Sequence, residues 1–554
     1  MSSINQLSIT DIRKENPLFS KIRNTIETCF YGNNVTPVTT LNQAYTLAYH
    51  ASGTIVTDLP VFQPESLELP SNCRVLVTND GQVVGRTAIA RRIIGQPGID
   101  EDYYSAILRE AGYTIGKKSC YHASAIVGLD SSFMIRSHLL LPEGFEGNLY
   151  SWLLNFQIAN TQYKNKYADS TSYDEGDIYL LADPEWTHPD FPHGLVLFDS
   201  LHNTAAVLGL RYFGELKKAI LTLAWGIAHR NGYIACHGGM KQYRLEENSY
   251  TMAAFGLSGS GKSTITLAKY NDQLPATVLH DDAFIISKTD GSSTALEPAY
   301  FDKTQDYPMA DPAVSYFLTC QNIGVTLDDS GRKVLVTEDI RNGNGRTVKS
   351  RHATPNRKNH FTEKIDAVYW IMKDDSLPPI LKINDPVLAA LFGATLATKR
   401  SSAENLASGI DHEQLVIEPF ANPFRCYPLA EDYQDFQQLF QLGTDCYILN
   451  TGYFNGNKVT PQQTLHCINQ IVENNAVFKP FLPLSDISYL QLEEHLPDFG
   501  SSDYLKKLKT RLCDRLSFIQ SKELQSEGYD ALPKEAAQRL EKLIISLSDF
   551  QAAL

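Results

Sequence analysis

Between Gly256 and Ser263 the chain reads Gly256-Leu257-Ser258-Gly259-Ser260-Gly261-Lys262-Ser263. This is the G-x-x-x-x-G-K-[ST] spacing that serves phosphate chemistry. Its glycines let consecutive backbone N–H groups turn inward around phosphate oxygens, where a Cβ would obstruct them. Lys262 then reaches the β- and γ-phosphates, the Ser263 hydroxyl can ligate Mg²⁺, and Thr264 follows in the same turn. Other residues with chemical capacity stand nearby in the chain. Ala276-Thr277-Val278-Leu279-His280 is an apolar run ending in Asp281-Asp282, where nucleotide-binding folds direct an Asp at a metal. His237 closes another apolar run and is followed by Gly238-Gly239; a lone histidine is more often structural than a ligand. Lys217 and Lys218 are adjacent at an expected helix start, where the helix dipole disfavours cations. Either they are a solvated pair, or one is held where an uncharged amine is tolerated.

These residues need elements to hold them. Tyr250 to Phe255 reads as a buried strand leading into the glycine loop, and Ser263 to Ala268 as a helix leading out of it. A helix N-terminus there adds partial positive charge to a phosphate site. The chain is therefore expected to bind a nucleoside triphosphate. Tyr212-Phe213-Gly214-Glu215-Leu216 opens a helix whose Ile220, Leu221, Leu223, Ala224 and Ile227 recur at helical spacing. Strands are expected at Cys73–Thr78, within Tyr121–Leu141, at Gly194–Phe198 and Thr204–Leu210, at Ala367–Met372 and from Cys446. The tail from Tyr504 reads as helical. Arg86, Arg91 and Arg92 form a cluster that, by itself, is a solvated surface.

A length of 554 residues exceeds what one hydrophobic core serves, so two sizeable domains are expected. With 43% hydrophobic and 20% charged residues, the chain has the composition of an ordinary folded protein. The net charge of −14 argues against nucleic acid as the main partner. The nine cysteines include no C-x-x-C pair, which suits free thiols in a reducing compartment. The first residues, Met1-Ser2-Ser3-Ile4-Asn5-Gln6, lack a signal-peptide pattern, and apolar runs such as Ile220–Ala228 are too short to span a bilayer. A cytoplasmic protein without a membrane partner is expected; nothing in the sequence speaks to oligomeric state.

In order along the chain, these pieces resemble the ATP-dependent phosphoenolpyruvate carboxykinase family. The glycine loop, Tyr212-Phe213-Gly214-Glu215-Leu216-Lys217-Lys218, His237, Asp281-Asp282, Glu297, Lys303-Thr304, Arg346 and Asn450-Thr451-Gly452 fall in family order. Gly85-Arg86-Thr87 is similar to the start of its substrate loop. The resemblance implies an α/β protein with an N-terminal domain, 1–232, and a mononucleotide-binding C-terminal domain, 233–554, with the active site in the cleft. It implies ATP with Mg²⁺ at Ser263, and Mn²⁺ held by His237, Asp282 and a neutral Lys218. Arg86 would clamp a carboxylate, Lys262 and Lys303 would neutralise the phosphoryl group, Arg346 would bridge substrate and phosphate, and Tyr212 would join the catalytic set. Residues 256–264 would cradle the nucleotide.

The implied reaction decarboxylates oxaloacetate and phosphorylates the resulting enolate. The chain departs from the family in three places. Thr87-Ala88-Ile89-Ala90-Arg91 replaces Ser-Pro-Lys-Asp-Lys, His280 and Ala283 replace a Gly and a Glu around the paired acids, and Leu415–Phe420 lacks the adenine-side Arg and last Thr. The alternative is a kinase on the same scaffold that phosphorylates a hydroxyl of another small carboxylate, such as a 2-hydroxy acid, without decarboxylation.

Overall fold

Runs dense in Val, Ile, Leu and Tyr become strands of several mixed sheets flanked by helices in the computed structural model, an α/β architecture. The structure describes residues 1–79, 87–158, 161–246, 248–257, 259–268, 276–338, 344–399 and 415–554. They sort into two units, Met1–Asn231 with Thr294–Pro355, and Gly232–Ser293 with Asn356–Leu554.

In the first unit one sheet runs in the order Val35–Val38, Cys120–Asp130, Phe133–Pro142, Ile178–Asp183, Thr204–Leu208, Leu195–Asp199, Arg91–Ile93. Cys120–Asp130 and Phe133–Pro142 form an antiparallel hairpin, and Ile178–Asp183 joins it in parallel. The inner strands are buried on both faces, which is why they read as unbroken apolar runs rather than as alternation. The helix Phe213–Arg230 packs on this sheet and is buried for most of its length. A second sheet runs Tyr300–Lys303, Arg346–Lys349, Phe317–Gln321, Arg74–Thr78, Thr54–Pro60. Within it Thr319–Gln321 pairs in parallel with Leu76–Thr78. That pairing draws residues 294–355 into the first unit, so the packing does not follow a single division of the chain into 1–232 and 233–554.

The second unit is built on a sheet in the order Ala276–His280, Gly239–Arg244, Ser249–Phe255, Ala367–Met372, Asp445–Asn450, Ile380–Ile383, Ile487–Leu490, Phe478–Pro480. Its central three strands, Ser249–Phe255, Ala367–Met372 and Asp445–Asn450, are parallel. The rings of Tyr369 and Tyr447 stack across two of them, with centroids 4.9 Å apart. The C-terminal helices Ser502–Leu524 and Lys534–Ala553 pack against each other, and Arg515 forms a buried ion pair with Asp374 at 2.8 Å. Among the described residues no helix is long and apolar enough to cross a membrane.

Candidate active site

The glycine loop leaves the C-terminal end of the Ser249–Phe255 strand and enters the helix Lys262–Leu267, as its spacing predicts. Glycine is required at Gly256, where a Cβ would stand 2.4 Å from Ser260 Oγ and 2.9 Å from Ile371 Cβ. Gly259 and Gly261 take φ of 78° and 97°, a region costly for other residues. The loop is tied from outside: Thr451 Oγ1 donates to the Ser260 carbonyl at 2.7 Å, and Thr451 N–H to the Met372 carbonyl at 2.9 Å. The Asn450-Thr451-Gly452 segment thus braces the loop, with Asn450 Nδ2 bonded to the Leu377 carbonyl at 2.6 Å. Ser263 and Thr264 are exposed at the helix start. Ser258 and Arg86 lie outside the described residues.

The strand Tyr233–His237 pairs antiparallel with Ala283–Ser287, setting His237 opposite Ala283 and hence beside Asp282. His237 Nε2 stands 2.8 Å from Asp282 Oδ1, and Lys262 Nζ stands 4.0 Å from the same oxygen. On its other side His237 Nδ1 donates to the Ala421 carbonyl at 2.5 Å. That bond leaves the lone pair of a neutral imidazole at Nε2, facing a carboxylate, and two such acceptors need a proton or a cation between them. The donor chemistry therefore fits a divalent cation. Among the described residues no group of three or more His, Cys, Asp and Glu side chains gathers for a metal, so from those residue types such a cation would draw on His237 and Asp282.

Two departures acquire physical meaning here. The buried His280 ring accepts the N–H groups of Asp282 at 2.9 Å and Ala283 at 3.1 Å through Nδ1, fixing the turn that presents Asp282. Phe420 and Ala421 both take φ of 53°, a strained region for side-chain-bearing residues, and Ala421 is the residue whose carbonyl orients His237. The glycines after His237 allow close approach to the loop helix. A Cβ on Gly239 would lie 1.9 Å from Thr266 Oγ1, and one on Gly238 2.7 Å from Phe255 Cδ1. Beneath the same helix, Lys241 is 1% exposed and donates to the Ile265 carbonyl at 2.7 Å. Burial pulls its pKa down to about 7.

In the first unit the candidates gather at the Tyr300–Lys303 and Arg346–Lys349 strands. Lys303 and Arg346 are directly opposite across this antiparallel ladder. Arg346 Nε donates to the Tyr212 hydroxyl at 3.1 Å. Burial raises the Tyr212 pKa while Arg346 pulls it the other way. The neighbouring Asp306 is raised by burial and drawn back by Lys303. Gly214 lies under the Tyr212 ring, where a Cβ would come within 2.3 Å of Cε1. The two adjacent lysines differ. Lys217 is buried and pairs with the buried Glu297 at 3.0 Å, whose other oxygen accepts from Asn155 Nδ2 at 2.6 Å. Lys218 is half-buried, its Nζ 5.8 Å from the centre of the Trp225 ring.

Sequence reasoning missed two cations in the second unit. A cleft of about 200 Å³ beside the glycine loop is lined by Gly259, Ser260, Gly261, Thr264, Thr451 and the apolar Ile265, Val459 and Leu465, together with Lys373 and Lys458. Lys373 follows a strand end and Lys458 follows a turn, and no local pattern joins them. A larger cleft, about 1050 Å³, lies at the opposite ends of the central strands, by Ser249, Asp366 and Asp445, and contains none of the candidate residues.

A family model described as phosphoenolpyruvate carboxykinase matches residues 76–489. The chain is similar to a phosphoenolpyruvate carboxykinase (ATP) of Aeropyrum pernix, with 26% identity over 304 residues, or 52% of this chain and 60% of that protein. It is also similar to a phosphoenolpyruvate carboxykinase (ATP) of Dictyostelium discoideum, with 24% identity over 207 residues, or 34% of this chain and 36% of that protein.

Proposed function

The chain belongs to the phosphoenolpyruvate carboxykinase family, and from that premise we propose that it converts oxaloacetate and ATP to phosphoenolpyruvate, CO2 and ADP. Loss of CO2 leaves the C–C bonding electrons on the enolate, whose oxygen attacks the γ-phosphorus as ADP departs. Negative charge accumulates on enolate and phosphoryl oxygens, so catalysis is positioning and electrostatic stabilisation.

In this mechanism Lys262 and the loop N–H groups neutralise the phosphates, and Ser263 would hold the Mg²⁺ of the nucleotide. Lys303 offsets charge on the transferred group, while Arg346, held by Tyr212, spans phosphoryl group and substrate. Arg86 clamps a substrate carboxylate. His237 and Asp282 would hold a Mn²⁺, with Lys218 as the third ligand that the family resemblance implies. When bound, the two cations supply Lewis-acid stabilisation of the enolate and phosphate oxygens. The cleft lined by Val459, Ile265 and Leu465 takes the base, since its volume suits a ring rather than a whole nucleotide.

The observation that carries this proposal is the His237–Asp282 pair with Lys262 at 4.0 Å, next to the glycine loop. The test incubates the protein with Mg·ATP, Mn²⁺ and oxaloacetate, or with lactate or malate. Phosphoenolpyruvate and CO2 from oxaloacetate support it. ADP formed only with a hydroxy acid, without CO2, overturns it in favour of a kinase.

A further inference from the structure

The His237–Asp282 pair can satisfy itself in two ways, and only one leaves it open to a cation. In one neutral tautomer His237 Nε2 carries the proton and donates to Asp282, which closes the pair. In the other Nδ1 carries it, and the Nε2 lone pair stays available to a metal. The Ala421 carbonyl selects the second, since it accepts from Nδ1 at 2.5 Å and would repel a lone pair there. That carbonyl stands on strained backbone. Phe420 and Ala421 both take φ of 53°, a conformation that persists only where the surroundings over-determine it.

Two anchors hold this turn. At its start the Phe420 ring stacks on Phe436 of the helix Leu429–Gln441, with centroids 4.8 Å apart and planes 10° from parallel. At its end stands Arg425, whose side chain is 12% exposed. Its Nε donates to the Tyr427 carbonyl at 3.0 Å, its Nη2 to Asp530 Oδ1 at 3.3 Å, and its Nη1 lies 4.0 Å from Asp432 Oδ2. Both carboxylates are fixed in turn. Asp432 Oδ1 accepts from the Tyr427 hydroxyl at 2.8 Å, and Asp530 Oδ1 accepts the Leu429 N–H at 3.0 Å. Between the anchors the Phe424 ring meets the His237 imidazole edge to face, with centroids 5.4 Å apart, and the Phe424 N–H is held by Asn422 Oδ1 at 3.1 Å. A planar guanidinium carries five donors and can serve a carbonyl and two carboxylates at once. We propose that Arg425, anchored by Asp432 and Asp530, is a positioning residue that keeps the Ala421 carbonyl on His237 Nδ1 and so holds Nε2 open for a divalent cation. Asp530 lies between the helices Ser502–Leu524 and Lys534–Ala553, so the C-terminal tail is tied to the metal pair through this turn. This rests on the functional reading above, in which His237 and Asp282 hold Mn²⁺, and concerns what keeps them able to do so.

Mn²⁺ binding is measured by paramagnetic resonance on the full chain without nucleotide, for the unaltered protein, Arg425→Met and Asp530→Asn. The tautomer is read separately, from the ring nitrogen shifts of histidine-labelled protein at about pH 9, where an imidazole is neutral, with His237→Gln assigning the signal. Arg425→Met should weaken Mn²⁺ by about ten-fold, the lower end of what losing an outer partner of a metal ligand costs, and should move the His237 proton from Nδ1 toward Nε2. Asp530→Asn keeps an acceptor for the Leu429 N–H and removes only the charge, so it should weaken Mn²⁺ by about three-fold. Arg539→Met is the control, because it cuts the ion pairs of the last helix with Asp385 and Asp486 and shares none of the turn's partners. It should keep Mn²⁺ affinity within about two-fold. Unchanged affinity and tautomer in both turn variants, with only the urea midpoint lowered, overturn the proposal, because Arg425 would then be a packing residue. Equal weakening by Arg539→Met also overturns it, since the effect would follow a general loosening of the tail. If Arg425→Met does not fold, Asp530→Asn decides by the same two readouts. If the unaltered chain takes up no Mn²⁺, the metal reading fails, and the positioning claim stands or falls on the tautomer.

Discussion

The two units hold their charged candidates differently. In the second, opposite charges meet: His237, Asp282 and Lys262 lie within 4.0 Å of one another's polar atoms or share a neighbour at that range. They are brought there by a strand pair and by glycines that admit close backbone approach. In the first, like charges face each other, with Lys303 opposite Arg346 in a ladder, an arrangement that disfavours the sheet. Nearby opposite charges are already paired with each other, Lys349 with Asp302 at 2.5 Å and Lys217 with Glu297 at 3.0 Å. One region satisfies its charges internally, and the other presents cations suited to an anion.

The largest effect should come from breaking the buried Lys217–Glu297 pair. Lys217→Met leaves Glu297 buried without the Lys217 ammonium, at an expected cost of about 3–5 kcal/mol in urea unfolding. Adding Glu297→Leu should restore most of that loss, and failure of the double variant to recover would mean that the pair is not the source. Next, Lys262→Ala should reduce kcat/KM for ATP-dependent turnover by a factor equivalent to about 3 kcal/mol, since it removes the cation that the loop offers to the phosphates while the fold stands. Retained turnover would separate the glycine loop from the chemistry. Gly239→Ala should cost about 1–3 kcal/mol by overpacking against Thr266, with nucleotide affinity falling alongside stability. The smallest change is Tyr212→Phe, which removes the hydrogen bond to Arg346. It should cost about 1 kcal/mol in kcat/KM with little change in unfolding; a larger loss of stability would make the tyrosine a packing residue.

What could be read from the sequence follows the distance over which each signal acts. The glycine loop, its strand and its helix are one contiguous pattern, so spacing alone located them. The burial of Phe213–Arg230 was also legible, because its apolar residues recur at helical spacing. Lys217 and Lys218 were not separable, since only Glu297, far along the chain, makes one of them a buried partner. The return of 294–355 to the first unit depends on Thr319–Gln321 pairing with Leu76–Thr78, a choice of register that neither segment encodes alone. Lys373 and Lys458 needed the brace of Thr451 to be seen as neighbours. In sequence His280 is only a glycine replaced; its part, accepting two backbone N–H groups, depends on a ring orientation that no local pattern carries.

The buried Lys241 under the loop helix couples that helix to the proton concentration. An unfolded lysine releases its proton near pH 10.4, whereas this one does so at about 7. Between those values the unfolded chain holds a proton that the folded chain has shed, so folding becomes more favourable as pH rises through that window. Below about 7 both states are protonated, and the full cost of an enclosed ammonium is present. The neutral amine still donates to the Ile265 carbonyl, so alkalinity relieves the charge without releasing the helix. Unfolding midpoints measured from pH 6 to pH 10 should therefore climb, on this group's account, and Lys241→Met should remove that part of the climb. The helix that begins at Lys262 rests on a weak base, and its footing firms as protons leave.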